Sequence, residues 1–404
     1  MANIIPFKSV RPSRNKVHLL CSRPFYTYKK SHLKAKLESN PYSFLHVINP
    51  EYDKVNKTDP NSLSRFKLVK KKYEDFKKNK FLIKDQKPNI YVYRQTTKHG
   101  IFKGIIAGAS VHDYQKKIIK KHENTIHKRE SIFKNYLKVT EFHAEPVLLA
   151  YKPTSKIQEI INNYILERPE YEFTTTDKKI HELWLIDNEI DINKIIEEFK
   201  PIKNIYIADG HHRIASSLLY QKENQESILK NHFLSFFIDQ SDLKIFEYNR
   251  IIKNISPLNE NDFLNKLKDN FQVSVLTEHQ APKSKEELSV YINKRWYLLK
   301  VKSEKIMDNY KSHLNSQIVS DFILKDILNI DHKDLNNNIE YIKGNQPLSF
   351  LVNKINQHKN SLGIQLYPHI IEEITSIADK GENMPAKSTW IEPKLRSGLT
   401  IYEY

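Results

Sequence analysis

Glycine is scarce in this chain, with eight residues in 404. No stretch forms a Walker-type phosphate loop, and none matches the dinucleotide fingerprint, both of which are built on clustered glycines. Any phosphate chemistry must therefore rest on side chains and a single turn. Cys21 is the one cysteine, which excludes an intrachain disulfide and any multi-cysteine metal site. A reducing cytoplasm is the expected compartment. No apolar run approaches the length of a membrane span, and residues 1–10 lack the apolar segment of a secretory signal, so no membrane partner is expected. A nucleophile elbow, a zinc signature, internal repeats and low-complexity linkers are also missing.

What is present is ample for a folded protein. Hydrophobic residues make up 39% and aromatics 11%, enough for a sizeable core in one large or two coupled domains. The net charge is +17 and lysine dominates it. Those lysines are spread over runs such as Lys70–Lys72, Lys77–Lys80 and Lys116–Lys121, the pattern of solvated helix faces. There is no single basic stripe with interleaved aromatics and no helix-turn-helix segment, so nucleic acid is not an expected partner. The field would favour an anionic small-molecule substrate.

The most informative stretch is Ile205-Tyr206-Ile207-Ala208-Asp209-Gly210-His211-His212-Arg213-Ile214-Ala215. An apolar run ends in Asp-Gly and gives way to helical spacing, with Ile214 and Leu218, then Ala215 and Leu219, four apart. This predicts a strand, a tight turn and a helix N-terminus. Gly210 tolerates the positive φ such a turn needs. The first helical N–H groups lack internal partners and favour an anion. Arg213 can fork onto phosphate oxygens, and His211 and His212 add donors. Asp209 is placed to hold a metal or take a proton. A plain N-capped surface helix is the competing reading of each residue alone; the five in succession favour an anion site.

A second candidate is Lys120-Lys121-His122-Glu123-Asn124-Thr125-Ile126-His127. His122 and His127 are five apart, so on a helix they would point roughly 140° apart and could not share a metal. Glu123, a carboxylate among cations, stays ionised at neutral pH and suits a base or metal partner as well as it suits a charged surface turn. Near the C-terminus, Met384-Pro385-Ala386-Lys387-Ser388-Thr389 offers a cation and two hydroxyls, all good phosphate donors.

The remaining pattern predicts mixed α/β structure. Residues 1–50 look irregular, with the aromatic block Asn40–Val47 feeding a strand and His46 as a core histidine. Leu63–Lys78 reads as an amphipathic helix with Phe66, Val69, Tyr73 and Phe76 on one face. Strands are expected at Phe81–Ile83, Ile90–Gln95, Gly104–Val111, Glu145–Tyr151, His181–Ile186, Phe233–Asp239 and Val273–Leu276. Leu243–Ile252 reads as a strand pair, and Ser289–Ile292 with Trp296–Val301 as a hairpin across Asn293-Lys294. Helices are expected at Ile157–Leu166, Ile192–Phe199, Phe263–Leu267, Ile318–Leu328 and a last one through Ile370, Ile374 and Ile377, which Pro368 helps start. A domain boundary is expected near residue 255, separating a 1–255 core region from 256–404, whose Lys387–Lys394 segment returns to the site.

Several blocks in order carry a family resemblance: Pro6-Phe7, Asn40–Val47, Tyr91-Val92-Tyr93-Arg94-Gln95, Lys121–Thr125, Glu145-Pro146-Val147, Ala208–Arg213 and Met384–Thr389. Nearly end to end, the chain resembles the family called domain of unknown function 1015. Its His122-Glu123 and Asp209–Arg213 blocks are also similar to those of free serine kinases, in the ParB/sulfiredoxin-like superfamily. That resemblance implies a ParB/sulfiredoxin-like core with large N- and C-terminal elaborations. The chain is longer than those enzymes, with an insertion between the two blocks.

What the resemblance implies for function is phosphotransfer to free L-serine, giving O-phosphoserine. Glu123 would match the catalytic carboxylate, and Asp209 to Arg213 the turn that holds the transferred phosphate. On this reading Glu123, Asp209 and His211 are catalytic. Gly210, His212, Arg213, Lys387, Ser388 and Thr389 bind phosphate, and His122, Thr125 and Arg94 contact substrate. Asp209 would hold Mg²⁺, and the donor would be ATP, ADP or pyrophosphate. The alternatives are a phosphoserine phosphatase using the same site and a non-enzymatic nucleotide- or DNA-binding ParB-like protein. Sulfinic-acid reduction would need a cysteine in the turn that His211 and His212 occupy.

Overall fold

The computed structural model describes residues 1–223, 226–305, 314–330 and 338–404. The fold is mixed α/β, and the chain forms two compact units. Unit 1 comprises Met1–Lys244 with Pro393–Tyr404, and unit 2 comprises Ile245–Glu392. The boundary expected near residue 255 falls inside unit 2, because the strand that begins at Lys244 already belongs to the second sheet. Among the described residues no helix is long and apolar enough to cross a membrane.

Unit 1 is built on a nine-stranded sheet. Its strands are β1 (Ile4–Ile5), β2 (Ile90–Thr97), β3 (Gly100–Ser110), β4 (Ile119–Lys120), β5 (Val147–Tyr151), β6 (Tyr171–Thr174), β7 (Ile180–Ile186), β8 (Ile205–Asp209) and β9 (His232–Asp239). They lie in the order β4-β8-β5-β9-β3-β2-β7-β6, with β1 on β3. β9 runs parallel to β5 and antiparallel to β3, so the sheet is mixed. Gly104 marks the tightest approach within it: a Cβ there would stand 2.0 Å from the Phe237 carbonyl oxygen.

Among the helices of unit 1 are α1 (Leu63–Lys78), α2 (His127–Thr140), α3 (Ser155–Ile165), α4 (Glu189–Phe199) and α5 (His211–Gln221). Ile157, Ile160 and Ile161 of α3, Ile192, Ile195 and Phe199 of α4, and Ile214 of α5 join one core with Val147, Leu149, Ile205 and Ile207 of the sheet. Each apolar side chain so buried contributes roughly 1.5–3 kcal/mol. α1 buries Val69, Tyr73 and Phe76 in a second cluster with Phe44, Val47, Phe142 and Ile401.

Residues 1–50 are more regular than the sequence suggested. Short helices span Val17–Leu20, Lys30–Ser39 and Leu45–Ile48. The Asn40–Val47 block thus feeds a helix rather than a strand, its backbone donors met locally: the Val47 N–H donates to the Phe44 carbonyl and the Asn49 N–H to the Leu45 carbonyl, both at 2.9 Å. His46 is a core histidine: buried, its Nε2 lies 3.0 Å from the Asn40 carbonyl oxygen.

In unit 2, β10 (Lys244–Ile252), β11 (Phe271–Leu276), β12 (Glu287–Ile292), β13 (Arg295–Val301), β14 (Ile339–Lys343), β15 (Leu362–Gln365) and β16 (Thr389–Glu392) form one sheet. Its order is β11-β13-β12-β15-β10-β14, with β16 on β10. Leu243–Ile252 is therefore one strand and not a pair. The β12–β13 hairpin turns at Asn293 and Lys294, both at positive φ, as a two-residue hairpin loop requires. The expected helix at Ile318–Leu328 is a short α-helix, Asn315–Ile318, that continues as a π-helix over Val319–Lys325. The Asp326 and Leu328 N–H groups donate to carbonyls five residues back, on Asp321 and Ile323.

Candidate functional site

The Asp209–Arg213 turn lies where β8 ends and α5 begins. β8 pairs with β5 through Ile207 and then shifts register before Asp209. Such a bulge re-aims the strand end. Gly210 caps α5 at φ +103°, a conformation an L side chain resists. A Cβ there would also sit 3.0–3.1 Å from the Nε, Cζ and Nη2 atoms of Arg213. Glycine thus suits the turn twice: it takes up the backbone angle, and it leaves room for the guanidinium that folds back over the turn, which any Cβ would press upon.

Arg213 is held from three sides. Its Nη1 donates to the Pro146 carbonyl oxygen at 2.7 Å and lies 3.8 Å from a Glu145 carboxylate oxygen, while Nη2 is 3.7 Å from Asp209 Oδ2. Asp209 in turn accepts from Lys394 Nζ at 3.0 Å. Burial opposes ionisation of Asp209, but Lys394 and then Arg213 outweigh it and hold the carboxyl at about 2. The carboxylate is 30% exposed, so it can meet a ligand.

Lys394 belongs to the Pro393–Tyr404 segment, which rejoins unit 1 through short backbone pairings. Ser397 exchanges N–H···O bonds with Ser22, Ile401 with Val10, and Tyr402–Glu403 pairs with Phe142–His143. The Ser397 hydroxyl donates to Glu145 at 2.6 Å. The same segment therefore supplies a cation to Asp209 and a hydrogen bond to the carboxylate beside Arg213.

Glu123 and its neighbours complete the turn. Glu123 Oε2 lies 3.7 Å from His211 Nδ1, and the carboxylate is 41% exposed while the His211 ring is buried. The His122 and His211 rings meet edge to face at 4.6 Å. Burial, reinforced by His122, lowers His211 well below the usual histidine range, so its ring is neutral. The His211 Nε2 atom has no hydrogen-bond partner among the described residues. His212 accepts from the Ile126 N–H at 3.0 Å through Nε2, which requires that nitrogen to carry no proton. This bond ties the His122–Ile126 segment to α5. Behind it, His143 is held down at about 3 by burial, with Arg213 as the second cause.

Other residues singled out from the sequence have different surroundings. The Thr125 hydroxyl donates to Glu130 in the first turn of α2. Arg94 faces Glu182 across β2 and β7, with both guanidinium bonds at 2.5–2.6 Å, and lies over the Trp184 ring. Lys387, Ser388 and Thr389 belong to unit 2. There the Ser388 hydroxyl is buried and bonded to Ser316 Oγ and the Pro385 carbonyl. The expected cation of the returning segment was Lys387; the one on Asp209 is Lys394.

Among the described residues no three histidine, cysteine or acidic side chains converge as a metal cage. Mg²⁺ commonly needs only one or two carboxylates when phosphates and water complete its shell. Asp209 is exposed enough to serve in that way.

The family described as "Protein of unknown function (DUF1015)" matches residues 4–322. No curated protein matches the chain in sequence. Among solved structures, a free serine kinase mutant in complex with ADP is similar at a TM-score of 0.39 and 14% identity, over 73% of this chain and 92% of that one. SbnI with a C-terminal truncation, from Staphylococcus aureus, is similar at 0.39 and 11%, over 74% and 87%. A conserved hypothetical protein from Pyrococcus furiosus is similar at 0.36 and 16%, over 73% and 95%.

Proposed function

The chain belongs to the DUF1015 family of proteins of unknown function, and we propose that it is a phosphotransferase acting on a small hydroxyl compound, with free L-serine as acceptor. The observation that carries this reading is the Asp209–Arg213 turn. An exposed carboxylate, a guanidinium folded over a positive-φ glycine, and Lys394 meet there beside the exposed Glu123. Phosphoryl transfer needs positioning and charge neutralisation more than covalent chemistry, and these groups supply both.

In this reading Glu123 accepts the proton of the attacking hydroxyl, with neutral His211 orienting its carboxylate. Arg213 and Lys394 bind phosphate oxygens, assisted by the N–H groups at the start of α5. The phosphate displaces Asp209 as their counter-charge. Asp209 is then available to Mg²⁺ carried on the donor, which when bound would offset charge on the phosphates. ATP, ADP and pyrophosphate are the donors to test. The same groups acting with water as acceptor would release phosphate from O-phosphoserine.

The test is an end-point assay of the full chain with L-serine, Mg²⁺ and each donor in turn, with O-phosphoserine read by mass spectrometry. Product from one donor that disappears in Glu123→Gln is the expected result. No product from any donor, and no phosphate from O-phosphoserine alone, would overturn the proposal.

A further inference from the structure

Four arginines are buried in the described residues: Arg11, Arg65, Arg250 and Arg396. Three have carboxylates. Arg11 pairs with Asp85 at 2.7 Å and Glu170 at 2.9 Å, Arg65 with Glu51 at 3.0 Å, and Arg396 with Asp177 at 2.6 Å. Arg250, on β10 of unit 2, is the most deeply buried at 1% exposure and has no carboxylate within ion-pair distance among the described residues. Its Nη2 donates to the Ser316 carbonyl at 3.0 Å, its Nη1 reaches Ser320 Oγ only at 3.4 Å, and its Nε has no partner there. Burial lowers its pKa to about 10, which leaves it charged at neutral pH. A buried charge without a counter-charge costs several kcal/mol.

The groups against the guanidinium among the described residues are thus one carbonyl, one hydroxyl and the Tyr341 ring, 6.0 Å from its Cζ, and further hydroxyls are linked to these. Ser320 Oγ donates to the Ser316 carbonyl at 2.9 Å, and Ser388 Oγ lies 2.9 Å from Ser316 Oγ and 2.6 Å from the Pro385 carbonyl. One hydroxyl proton cannot serve both acceptors, so Ser388 has a choice of partner. Ser316 Oγ is 3.3 Å from His369 Nε2, whose Nδ1 is 2.8 Å from Glu373. Lys387 Nζ lies over the ring of Tyr248 at 5.7 Å, and Tyr248 is on the same face of β10 as Arg250, two residues away. Ser320 is only half-buried, on the π-helix.

We propose that unit 2 carries a binding site for a phosphate-type oxyanion, centred on Arg250 and edged by the hydroxyls of Ser316, Ser320 and Ser388. A guanidinium with several hydroxyls suits a tetrahedral anion, which accepts from many directions, and the planar fork can grip two of its oxygens. The anion would supply a counter-charge that no carboxylate among the described residues provides within ion-pair distance. The proposal is argued from residues of unit 2 alone and does not rest on the activity proposed for the turn in unit 1.

The test uses the full-length Arg213→Ala chain, which weakens the unit 1 turn and leaves unit 2 intact. Inorganic phosphate and AMP are titrated calorimetrically at constant ionic strength against chloride. One saturable site is expected, with AMP binding more tightly if the oxyanion belongs to a nucleotide and equally if it is free phosphate. Adding Ser388→Ala should weaken binding about tenfold, as loss of one hydrogen bond to a charged group does. Arg250→Lys should weaken it further while keeping the charge. If Arg250→Lys fails to fold, Ser388→Ala and Ser320→Ala decide. No binding by the Arg213→Ala chain, or binding that these substitutions leave unchanged, would overturn the proposal.

Discussion

Arg213 in unit 1 and Arg250 in unit 2 both donate to main-chain carbonyls, Pro146 at 2.7 Å and Ser316 at 3.0 Å. Beyond that they differ. Arg213 lies within 4 Å of Glu145 and Asp209 and is partly exposed, while Arg250 is buried and lacks any such carboxylate among the described residues. A cation that already has a counter-charge near solvent can exchange it for a passing phosphate and recover it on release, which suits turnover. A cation with no counter-charge gains most from an anion that stays. On the two proposals, unit 1 would exchange its anion and unit 2 would retain one.

The largest effect should come from the group that the comparison assigns to chemistry rather than charge balance. Glu123→Gln is expected to lower kcat by about 10²–10⁴, with phosphate-induced stabilisation unchanged because no cation is lost. Turnover within a few-fold of the parent chain would remove Glu123 from proton transfer.

Acid should act next, through the neutral histidines of unit 1. Burial holds His211 and His181 well below the usual histidine range and His143 at about 3. Their folded pKa values lie below the unfolded one near 6.5, so the unfolded chain takes up protons first as pH falls. The stability that their neutrality contributes is complete above about pH 6.5 and is lost progressively below it. Each such ring adds about 1.4 kcal/mol per pH unit to the slope. Urea unfolding at pH 7, 6 and 5 should show this fall; a flat profile would mean the rings charge without penalty.

The two arginines can be compared directly. Arg213→Met, without phosphate, should cost about 1–2 kcal/mol, the worth of a charged hydrogen bond and loose ion pairs. Arg250→Met should be close to neutral or stabilising, as replacements of buried charge by apolar side chains often are. Denaturant midpoints at one pH decide it. A cost of 3–5 kcal/mol for Arg250→Met would make that residue a structural cross-link and erase the distinction between the units.

Much of the site was legible because its chemistry is local. Asp209, Gly210 and Arg213 sit within five residues, and the switch from an apolar run to four-residue spacing marks the junction of β8 with α5. The Asn293-Lys294 hairpin was legible for the same reason. Partners distant in sequence were legible only in part: the Lys387–Lys394 segment was expected at the site, but with Lys387 as its cation. Lys394 reaches Asp209 across 185 residues and Ser397 reaches Glu145 across 252; nothing in either local pattern names the other. Glu145 had appeared as the opening of a strand and in one block of the family resemblance, with no role at the site. Thr125 is the opposite case: its partner Glu130 lies five residues on, a local helix-start interaction that its reading as a substrate contact left out. Arg94 was read without Glu182, which the β2–β7 register places directly opposite. That no carboxylate among the described residues pairs with Arg250 cannot be read from any stretch of sequence, because it is a property of what the fold brings near.

The smallest effect expected is that of Lys394→Met, and it tests whether the unit 1 turn really balances its charge internally. With Lys394 present, the Asp209 carboxyl is held at about 2, against burial, by Lys394 first and Arg213 second. Its folded pKa is below the unfolded one, so its stabilising contribution is present above about pH 4 and is lost as pH falls through 2. Removing Lys394 takes away the larger opposing cause and leaves burial in place, so the pKa should rise. Because the carboxylate is 30% exposed, solvent screening keeps the cost small, under about 1 kcal/mol at neutral pH. Carboxyl NMR titration of Asp209 reads the shift directly. A carboxyl that still titrates near 2 without Lys394 would mean that Arg213 alone sets it, and the C-terminal segment would then drop out of the charge balance at the turn.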